Sequence, residues 1–170
     1  MNIERAWAMP NHETFKIRPI KHLIQKYTAI VPGLWLNPFA GNSDIGFTND
    51  LDPKTSATFH IDALEFLKHC GKNDFSGCFF DPPYSLRQLV EVYRAVGKSV
   101  NMQTTQNSYW SALKKEVGRT VKIGGVVISF GWNTIGMGKK NGFKIIEILI
   151  VSHGGMHNDT LVTVEKKVVE

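Results

Sequence analysis

The chain has 170 residues, of which 42% are hydrophobic and 21% are charged, and this composition is typical of a globular domain rather than of a disordered or membrane-spanning chain. We therefore expect one domain over residues 1–170, with no stretch apolar enough to cross a bilayer. The net charge of +5 permits a polyanionic partner without requiring one. The first residues lack the pattern of a secretory signal, so we expect a cytoplasmic protein.

The first predicted elements are a helix and a short buried strand. Apolar residues recur at helical spacing at Ile20, Leu23, Ile24 and Tyr27. The helix should end before Pro32-Gly33, and the apolar residues 34–36 then predict the first strand. A turn rich in polar and small residues, 37–43, follows this strand.

The middle of the chain predicts two more helices around a buried strand. Asp62 is placed to cap a helix over residues 63–68 that Gly71 ends. Phe79-Phe80 closes a buried strand, and Ser85 begins the clearest helical pattern in the chain, which stops at Gly97.

The last part of the chain predicts a helix and three strands. A polar stretch, 99–107, precedes a helix over 108–121 and a strand over 125–130 that is apolar on both faces. Two β-rich segments, 143–152 and 160–168, predict an antiparallel hairpin at the edge of the sheet. The alternation along the chain indicates an α/β fold with a mostly parallel sheet.

The segment Asp81-Pro82-Pro83-Tyr84 is the most informative feature, because it directly follows the predicted strand. Consecutive prolines lack backbone donors and form a rigid turn. The Asp81 carboxylate and the Pro82 carbonyl can accept both hydrogens of an exocyclic amine, while Tyr84 stacks on the ring that carries it. A base held this way comes from a single strand or has left its duplex stack. The alternative is a strand-terminating turn with Tyr84 in the core.

Three further segments are candidates for ligand binding at the ends of strands, where open α/β sheets bind ligands. Gly41 lets the backbone approach a ligand, and Asn37 is placed to hydrogen-bond an amino-acid head group. Asp50 is a candidate for binding ribose hydroxyls, and Asp62 for binding an adenine amine. Each acid is equally well explained as a helix cap or a surface residue.

Together these segments resemble the S-adenosylmethionine-dependent amino-methyltransferases, in particular the DNA adenine-N6 enzymes and their small phage-encoded relatives. Asp81-Pro82-Pro83-Tyr84 resembles their catalytic motif, and the segment 15–19 is similar to one beside the methionine end of the cofactor. The resemblance implies a Rossmann-like sheet, a bacterial host cell and S-adenosyl-L-methionine as cofactor. The cofactor-binding residues it implies are Asn37, Pro38, Phe39, Gly41, Asn49, Asp50, Asp62, Ala63 and Asp81.

The chain departs from that family at three points. Asn37 replaces a carboxylate that the family often uses against the cofactor's ammonium group. The residues between Gly41 and Asn49 are too few for the usual crossover helix of about a dozen residues, so this helix should be shortened or absent. No segment is large enough to form a separate target-recognition domain, so we expect sequence specificity to be low or to come from short loops or from another protein. The stretch 99–107 is the candidate loop for substrate contact.

These features predict methyl transfer to the N6 atom of adenine in DNA, with catalytic residues Asp81, Pro82, Pro83 and Tyr84. Tyr84, Ser85 and Trp132 are predicted to bind substrate, although packing in the core explains Trp132 equally well. The alternatives are an RNA or cytosine-N4 methyltransferase, and a non-catalytic relative that binds cofactor or nucleic acid. His153 and His157 lack a third residue at metal-ligand spacing, so no metal is expected.

Overall fold

The computed structural model describes residues 1–97 and 107–170, without the side chains of Leu86 and Asn107. One seven-stranded sheet runs through this part of the chain. The strands are β1 (Asn2–Trp7), β2 (Trp35–Asn37), β3 (Phe47–Thr48), β4 (Phe75–Phe80), β5 (Val121–Gly131), β6 (Phe143–Ser152) and β7 (Thr160–Lys167). The helices are α1 (Arg18–Ile30), α2 (Ala63–His69), α3 (Leu86–Ala95) and α4 (Asn107–Thr120), with short 3₁₀ helices at Thr14–Lys16 and Lys139–Asn141.

The strand order is β1-β6-β7-β5-β4-β2-β3. Strands β3, β2, β4 and β5 run parallel to one another, and β7 runs antiparallel to both β5 and β6. This arrangement confirms the predicted α/β sheet, mostly parallel with an antiparallel pair of strands at the carboxyl end of the chain. In a parallel sheet the carboxyl ends of neighbouring strands meet at one edge, so the turns after β2, β3 and β4 lie side by side.

The outermost strand next to the hairpin is β1, which the sequence analysis missed. It pairs in parallel with β6, from Asn2 opposite Glu147 to Trp7 opposite Ser152. The predicted position of the hairpin at the sheet edge is therefore wrong by one strand. Almost all of β1 is exposed, so its sequence has no alternation of buried and exposed residues to reveal it.

The connection between β2 and β3 contains no helix, as its length predicts. Residues 38–46 form turns and bends between the end of β2 at Asn37 and the start of β3 at Phe47. Since these residues do not leave the sheet edge to form a helix, they stay above the ends of β2 and β4. The segment that resembles a cofactor motif therefore lies beside the turn after β4.

Helices cover both faces of the sheet. On one face α1 packs its buried Ile20, Leu23 and Ile24 against residues of β5, β6 and β7. On the other face α2 and α4 pack against β2, β4 and β5 around Leu67, Leu113 and Val117. Strand β4 is buried along its whole length, which explains the apolar residues Cys78, Phe79 and Phe80 at its carboxyl end.

The predicted helix starts at Asp62 and Ser85 are confirmed. The Asp62 carboxylate accepts hydrogen bonds from the backbone N–H groups of Leu64 and Glu65. The Ser85 hydroxyl accepts one from the N–H of Gln88. The predicted helix over 108–121 is α4, shifted by one residue, and residues 99–106 of the predicted polar stretch lie outside the described residues. In the part of the chain that is described, no helix has the length and apolar character needed to cross a membrane.

Candidate active site

The turn that carries Asp81 and Tyr84 lies at the carboxyl end of β4. All four residues of the turn are partly buried, and Ser85 follows as the cap of α3. The turn is thus held at one end by a buried strand and at the other by a capped helix. Such anchoring at both ends gives the side chains of the turn defined positions.

The side chains of Asp81 and Tyr84 are hydrogen-bonded to each other. The Tyr84 hydroxyl donates to Asp81 Oδ1 over 2.6 Å, and the Tyr84 N–H donates to Gln88 Oε1 over 2.7 Å. The Thr14 side chain lowers the pKa of both Asp81 and Tyr84. The carboxylate predicted to accept from a substrate amine is therefore already hydrogen-bonded to the Tyr84 hydroxyl.

Burial changes the titration of both residues. It raises the pKa of Asp81 to about 6, although the hydrogen bonds from Tyr84 and Thr14 act in the opposite direction. Burial and the nearby Asp81 carboxylate raise the pKa of Tyr84 well above its ordinary value. At pH 7 and above, Asp81 is thus a carboxylate acceptor and Tyr84 a neutral hydroxyl donor.

A cavity of about 850 Å³ opens in front of this turn. Its walls include the turns that follow β2, β3 and β4, together with residues from the start of α2. This volume lies in the usual range for sites that bind small molecules or cofactors. The cavity therefore brings together three segments that the sequence predicted separately.

Most of the predicted cofactor residues line this cavity. They are Pro38, Phe39, Gly41, Asp50, Asp62, Ala63 and Asp81. Asp50 accepts hydrogen bonds from the backbone N–H groups of Gly41, over 2.8 Å, and of Asp52, over 2.9 Å. Gly41 has a φ of 53°, and an added Cβ would meet no atom within 4 Å, so its α-carbon faces open space.

Asn37 and Asn49 lie outside the cavity lining. Both are fully buried. The Asn37 side chain donates to the Ile45 carbonyl over 3.0 Å, and its Oδ1 has no partner among the described residues. Asn49 donates to the carbonyls of Pro38 and Ile61 and accepts from the Ile61 N–H. Both side chains fix the loops behind the cavity wall, and their part in cofactor binding stays a prediction.

Trp132 lies next to Tyr84 but does not line the first cavity. Their rings are arranged edge to face with their centroids 5.7 Å apart, and Trp132 is 42% exposed. Both rings line a second cavity of about 500 Å³, together with Thr14 and part of the loop between β6 and β7. Ser85 lines neither cavity and serves as a helix cap, so its predicted contact with substrate remains a prediction.

The sequence analysis missed several residues of the site. Gln88, Tyr93, Tyr109 and Trp110 line the first cavity, and Thr14 and Gln88 line both cavities. The resemblance at 15–19 was a partial signal, because Phe15 lines the first cavity and its ring lies 5.4 Å from that of Phe79. Tyr93 and Tyr109 lie on α3 and α4, and only the fold places them at the cavity.

The histidines after β6 form no metal site in the structure. His153 is buried and its ring nitrogens lie 2.8 Å from the Ala8 carbonyl and from the Thr160 hydroxyl. Among residues 1–97 and 107–170, no group of three His, Cys, Asp or Glu side chains is arranged to hold a metal ion. His153 therefore ties the residues after β1 to the start of β7.

The fold has counterparts among solved structures. TrmN from Thermus thermophilus has a TM-score of 0.56 with this chain at 16% identity, over 89% of this chain and 49% of TrmN. A protein from Haemophilus influenzae named as a candidate methylase has a TM-score of 0.52 at 12% identity, over 89% of this chain and 98% of that protein. The chain has a Rossmann-like fold.

A third structure is more distant. A Thermus thermophilus protein named as a candidate DNA modification methylase has a TM-score of 0.43 at 17% identity, over 64% of this chain and 53% of that protein. This chain thus spans about half the length of the two Thermus thermophilus proteins. At the level of sequence, no family model and no curated protein matches the chain.

Proposed function

We propose that the protein is an S-adenosyl-L-methionine-dependent methyltransferase that modifies the exocyclic N6 of adenine in DNA. The observation that carries this proposal is the convergence of Asp81 and Tyr84 with Gly41 and Asp50 on one cavity. The name of a solved structure with a similar fold, a candidate methylase from Haemophilus influenzae, agrees with it. A strand-terminating turn without a function would not need such a cavity in front of its carboxylate.

The cavity fits a cofactor of this kind. The open space at Gly41 lets a ligand approach the backbone, and Asp50 and Asp62 supply acceptors for hydroxyl and amine groups. When bound, the cofactor supplies a methyl group on a positively charged sulfur, which is a strong electrophile. The protein therefore has to align the two reactants and stabilise charge on the amine.

The residues of the turn perform this alignment. Asp81 accepts one amine hydrogen and the Pro82 carbonyl accepts the other, which directs the nitrogen lone pair into the cavity. Tyr84 stacks on the base, and Pro83 keeps the turn rigid. The Tyr84 hydroxyl takes one acceptor position of the Asp81 carboxylate over 2.6 Å, and the incoming amine binds at another.

The second cavity gives the substrate a place beside the turn. Trp132 and Tyr84 line it, and both offer aromatic surface to a base that has left its stack. The net charge of +5 favours a nucleic-acid partner. Recognition of a particular sequence would come from short loops or from a second protein.

The first test is binding of S-adenosylhomocysteine, read as a rise in melting temperature, because a ligand selective for the native state stabilises it. The second is transfer of a labelled methyl group to DNA and RNA oligonucleotides, followed by mass spectrometry of the nucleosides. N6-methyladenine in DNA supports the proposal. N4-methylcytosine or a methylated RNA nucleoside would show that the enzyme transfers methyl groups to a different substrate. If S-adenosylhomocysteine does not bind, the assignment as a methyltransferase is contradicted.

A second candidate is a relative that binds cofactor without catalysis. Two observations favour it. Asn37 has a buried amide where the family often has a carboxylate, and the Tyr84 hydroxyl is already hydrogen-bonded to Asp81. Calorimetry with S-adenosylmethionine, combined with the methyl-transfer assay, separates the candidates. Binding without transfer to any nucleic acid supports the non-catalytic relative.

A further inference from the structure

Three helices meet at a single carboxylate on the wall of the first cavity. Asp62, at the start of α2, accepts at Oδ2 from the hydroxyl of Tyr93 on α3 over 2.7 Å. The same oxygen accepts from the hydroxyl of Tyr109 on α4 over 2.9 Å. We refer to Asp62, Tyr93 and Tyr109 as the Asp62 cluster. All three residues line the cavity.

The hydrogen-bonding capacity of Asp62 is already used. Its other oxygen, Oδ1, accepts from the N–H groups of Leu64 and Glu65 as the cap of α2. A carboxylate offers about four acceptor positions, and four donors already occupy them. A ligand amine can therefore bind Asp62 only by displacing one of the tyrosine hydroxyls.

We propose that the Asp62 cluster is an exchange site, in which the adenine amine of the cofactor displaces a tyrosine hydroxyl from Asp62. This inference rests on the proposed function, because it assumes that an adenosyl cofactor fills the first cavity. The free protein thus holds α3 and α4 to α2 through Asp62, and cofactor binding exchanges one of these bonds for a bond to the ligand. Tyr93 and Tyr109 are positioning residues in this scheme, and their hydroxyls lower the affinity for the cofactor.

The chemistry of the tyrosines supports the exchange. Burial raises the pKa of Tyr93 to about 12, and the Asp62 carboxylate acts in the same direction. Burial also raises the pKa of Tyr109. Both hydroxyls therefore keep their protons at neutral pH and remain donors that compete with an amine.

The exchange connects the cofactor end of the cavity to the catalytic turn. Helix α3 begins at Leu86, directly after Ser85, and carries both Gln88 and Tyr93. Gln88 binds the backbone N–H of Tyr84, while Tyr93 binds Asp62. Release of Tyr93 therefore loosens the helix that holds the catalytic turn, so substrate should enter after the cofactor.

The test compares two ligands on the full chain by calorimetry: S-adenosylhomocysteine and S-inosylhomocysteine, which has an oxygen in place of the adenine amine. The variants are Tyr93→Phe and Tyr109→Phe. The matched control is Tyr27→Phe, which removes a buried tyrosine-to-carboxylate bond to Glu147 from α1, away from both cavities. Melting curves establish that each variant is folded.

The exchange predicts that Tyr93→Phe or Tyr109→Phe tightens binding of S-adenosylhomocysteine on the order of tenfold, because one competing hydrogen bond is gone. Neither variant should gain affinity for S-inosylhomocysteine, and Tyr27→Phe should leave both affinities unchanged. In spectra of the wild-type protein with ¹³C-labelled tyrosine, the Tyr93 or Tyr109 ring signal should move with the adenosyl ligand and not with the inosyl ligand.

Two different failures are distinguishable. If the wild-type protein binds S-adenosylhomocysteine but the phenylalanine variants gain nothing, lose affinity, or change equally for both ligands, the exchange is wrong and the proposed function stands. If the folded wild-type protein binds no S-adenosylhomocysteine, the proposed function fails and the exchange fails with it.

Discussion

The Tyr84 hydroxyl lies 2.6 Å from Oδ1 of Asp81 and donates a hydrogen bond to it. The two residues expected to grip a substrate from different sides thus hold each other before the substrate arrives. This bond keeps a buried carboxylate partnered, which lowers the cost of burying its charge. It leaves other acceptor positions of the same carboxylate for the substrate amine.

The first prediction concerns catalysis. Replacing Asp81 with alanine should abolish methyl transfer, because the amine loses its charged acceptor, while S-adenosylhomocysteine still binds. The measurement is single-turnover methyl transfer beside calorimetry on the same preparation. Turnover at the wild-type rate in the folded variant would rule out the assigned role of Asp81.

The second prediction concerns stability and pH at the same residue. Burial raises the pKa of Asp81 to about 6, above its value in the unfolded chain, so the folded state binds the proton more tightly. The contribution of Asp81 to stability is therefore fully present below pH 3.8, its ordinary pKa, and is lost as the pH rises through about 6. The variant Asp81→Asn, which carries no charge, should gain melting temperature relative to the wild type at pH 8 and not at pH 4. If the melting temperature of Asp81→Asn shifts equally at both pH values, the charge of Asp81 is not the cause of the change in stability.

The third prediction concerns the Tyr84 hydroxyl. Tyr84→Phe keeps the aromatic ring but removes a hydrogen bond that lowers the pKa of Asp81. If methyl transfer needs the ionised carboxylate, the acid limb of the pH–rate profile should move to higher pH in this variant. The check is kcat/KM between pH 5 and 9, with Trp132→Phe as the control that changes a neighbouring ring without touching Asp81. If the acid limb does not move, the rate of methyl transfer does not depend on the ionisation of Asp81.

The fourth prediction concerns substrate binding. Trp132 is 42% exposed, so Trp132→Ala should cost little stability. Base stacking on an aromatic side chain contributes about 1–3 kcal/mol, and the variant should lose that much affinity for an oligonucleotide. Fluorescence anisotropy of a labelled oligonucleotide measures the loss, and calorimetry should show unchanged binding of S-adenosylhomocysteine. If Trp132→Ala binds DNA with wild-type affinity, Trp132 does not bind the substrate and serves only in packing.

The fifth prediction concerns a buried carboxylate far from the site. Burial opposes ionisation of Glu147, yet hydrogen bonds from Lys26 and Tyr27 hold its pKa below the ordinary value. Its stabilising contribution is therefore present at neutral pH and is lost as the pH falls below about 4.5. Glu147→Gln should lower the free energy of unfolding by about 1 kcal/mol at pH 7, because the half-exposed Lys26 stays hydrated after its partner loses the charge. Denaturant titrations at pH 7 and pH 4 should show the difference shrinking at the lower pH.

The sequence by itself determined the elements with strong local signals. Asp62 and Ser85 cap helices because their side chains reach backbone N–H groups only two or three residues away. The apolar residues of β4 and the two prolines after Phe80 marked a buried strand and its end. The short interval between Gly41 and Asn49 likewise predicted a shortened or absent crossover helix, and the structure has none there.

Only the tertiary structure decided which side chains meet. Asp62 binds Tyr93 and Tyr109, and Thr14 reaches Asp81, through contacts between residues far apart in sequence. Strand β1 is exposed, and only its pairing with β6 makes it a strand. Local patterns report backbone preferences and burial, whereas the partners of a buried polar group depend on how the whole chain packs. For this reason the sequence indicated the turn after β4, and the fold revealed the hydroxyl groups that bind Asp81 and Asp62.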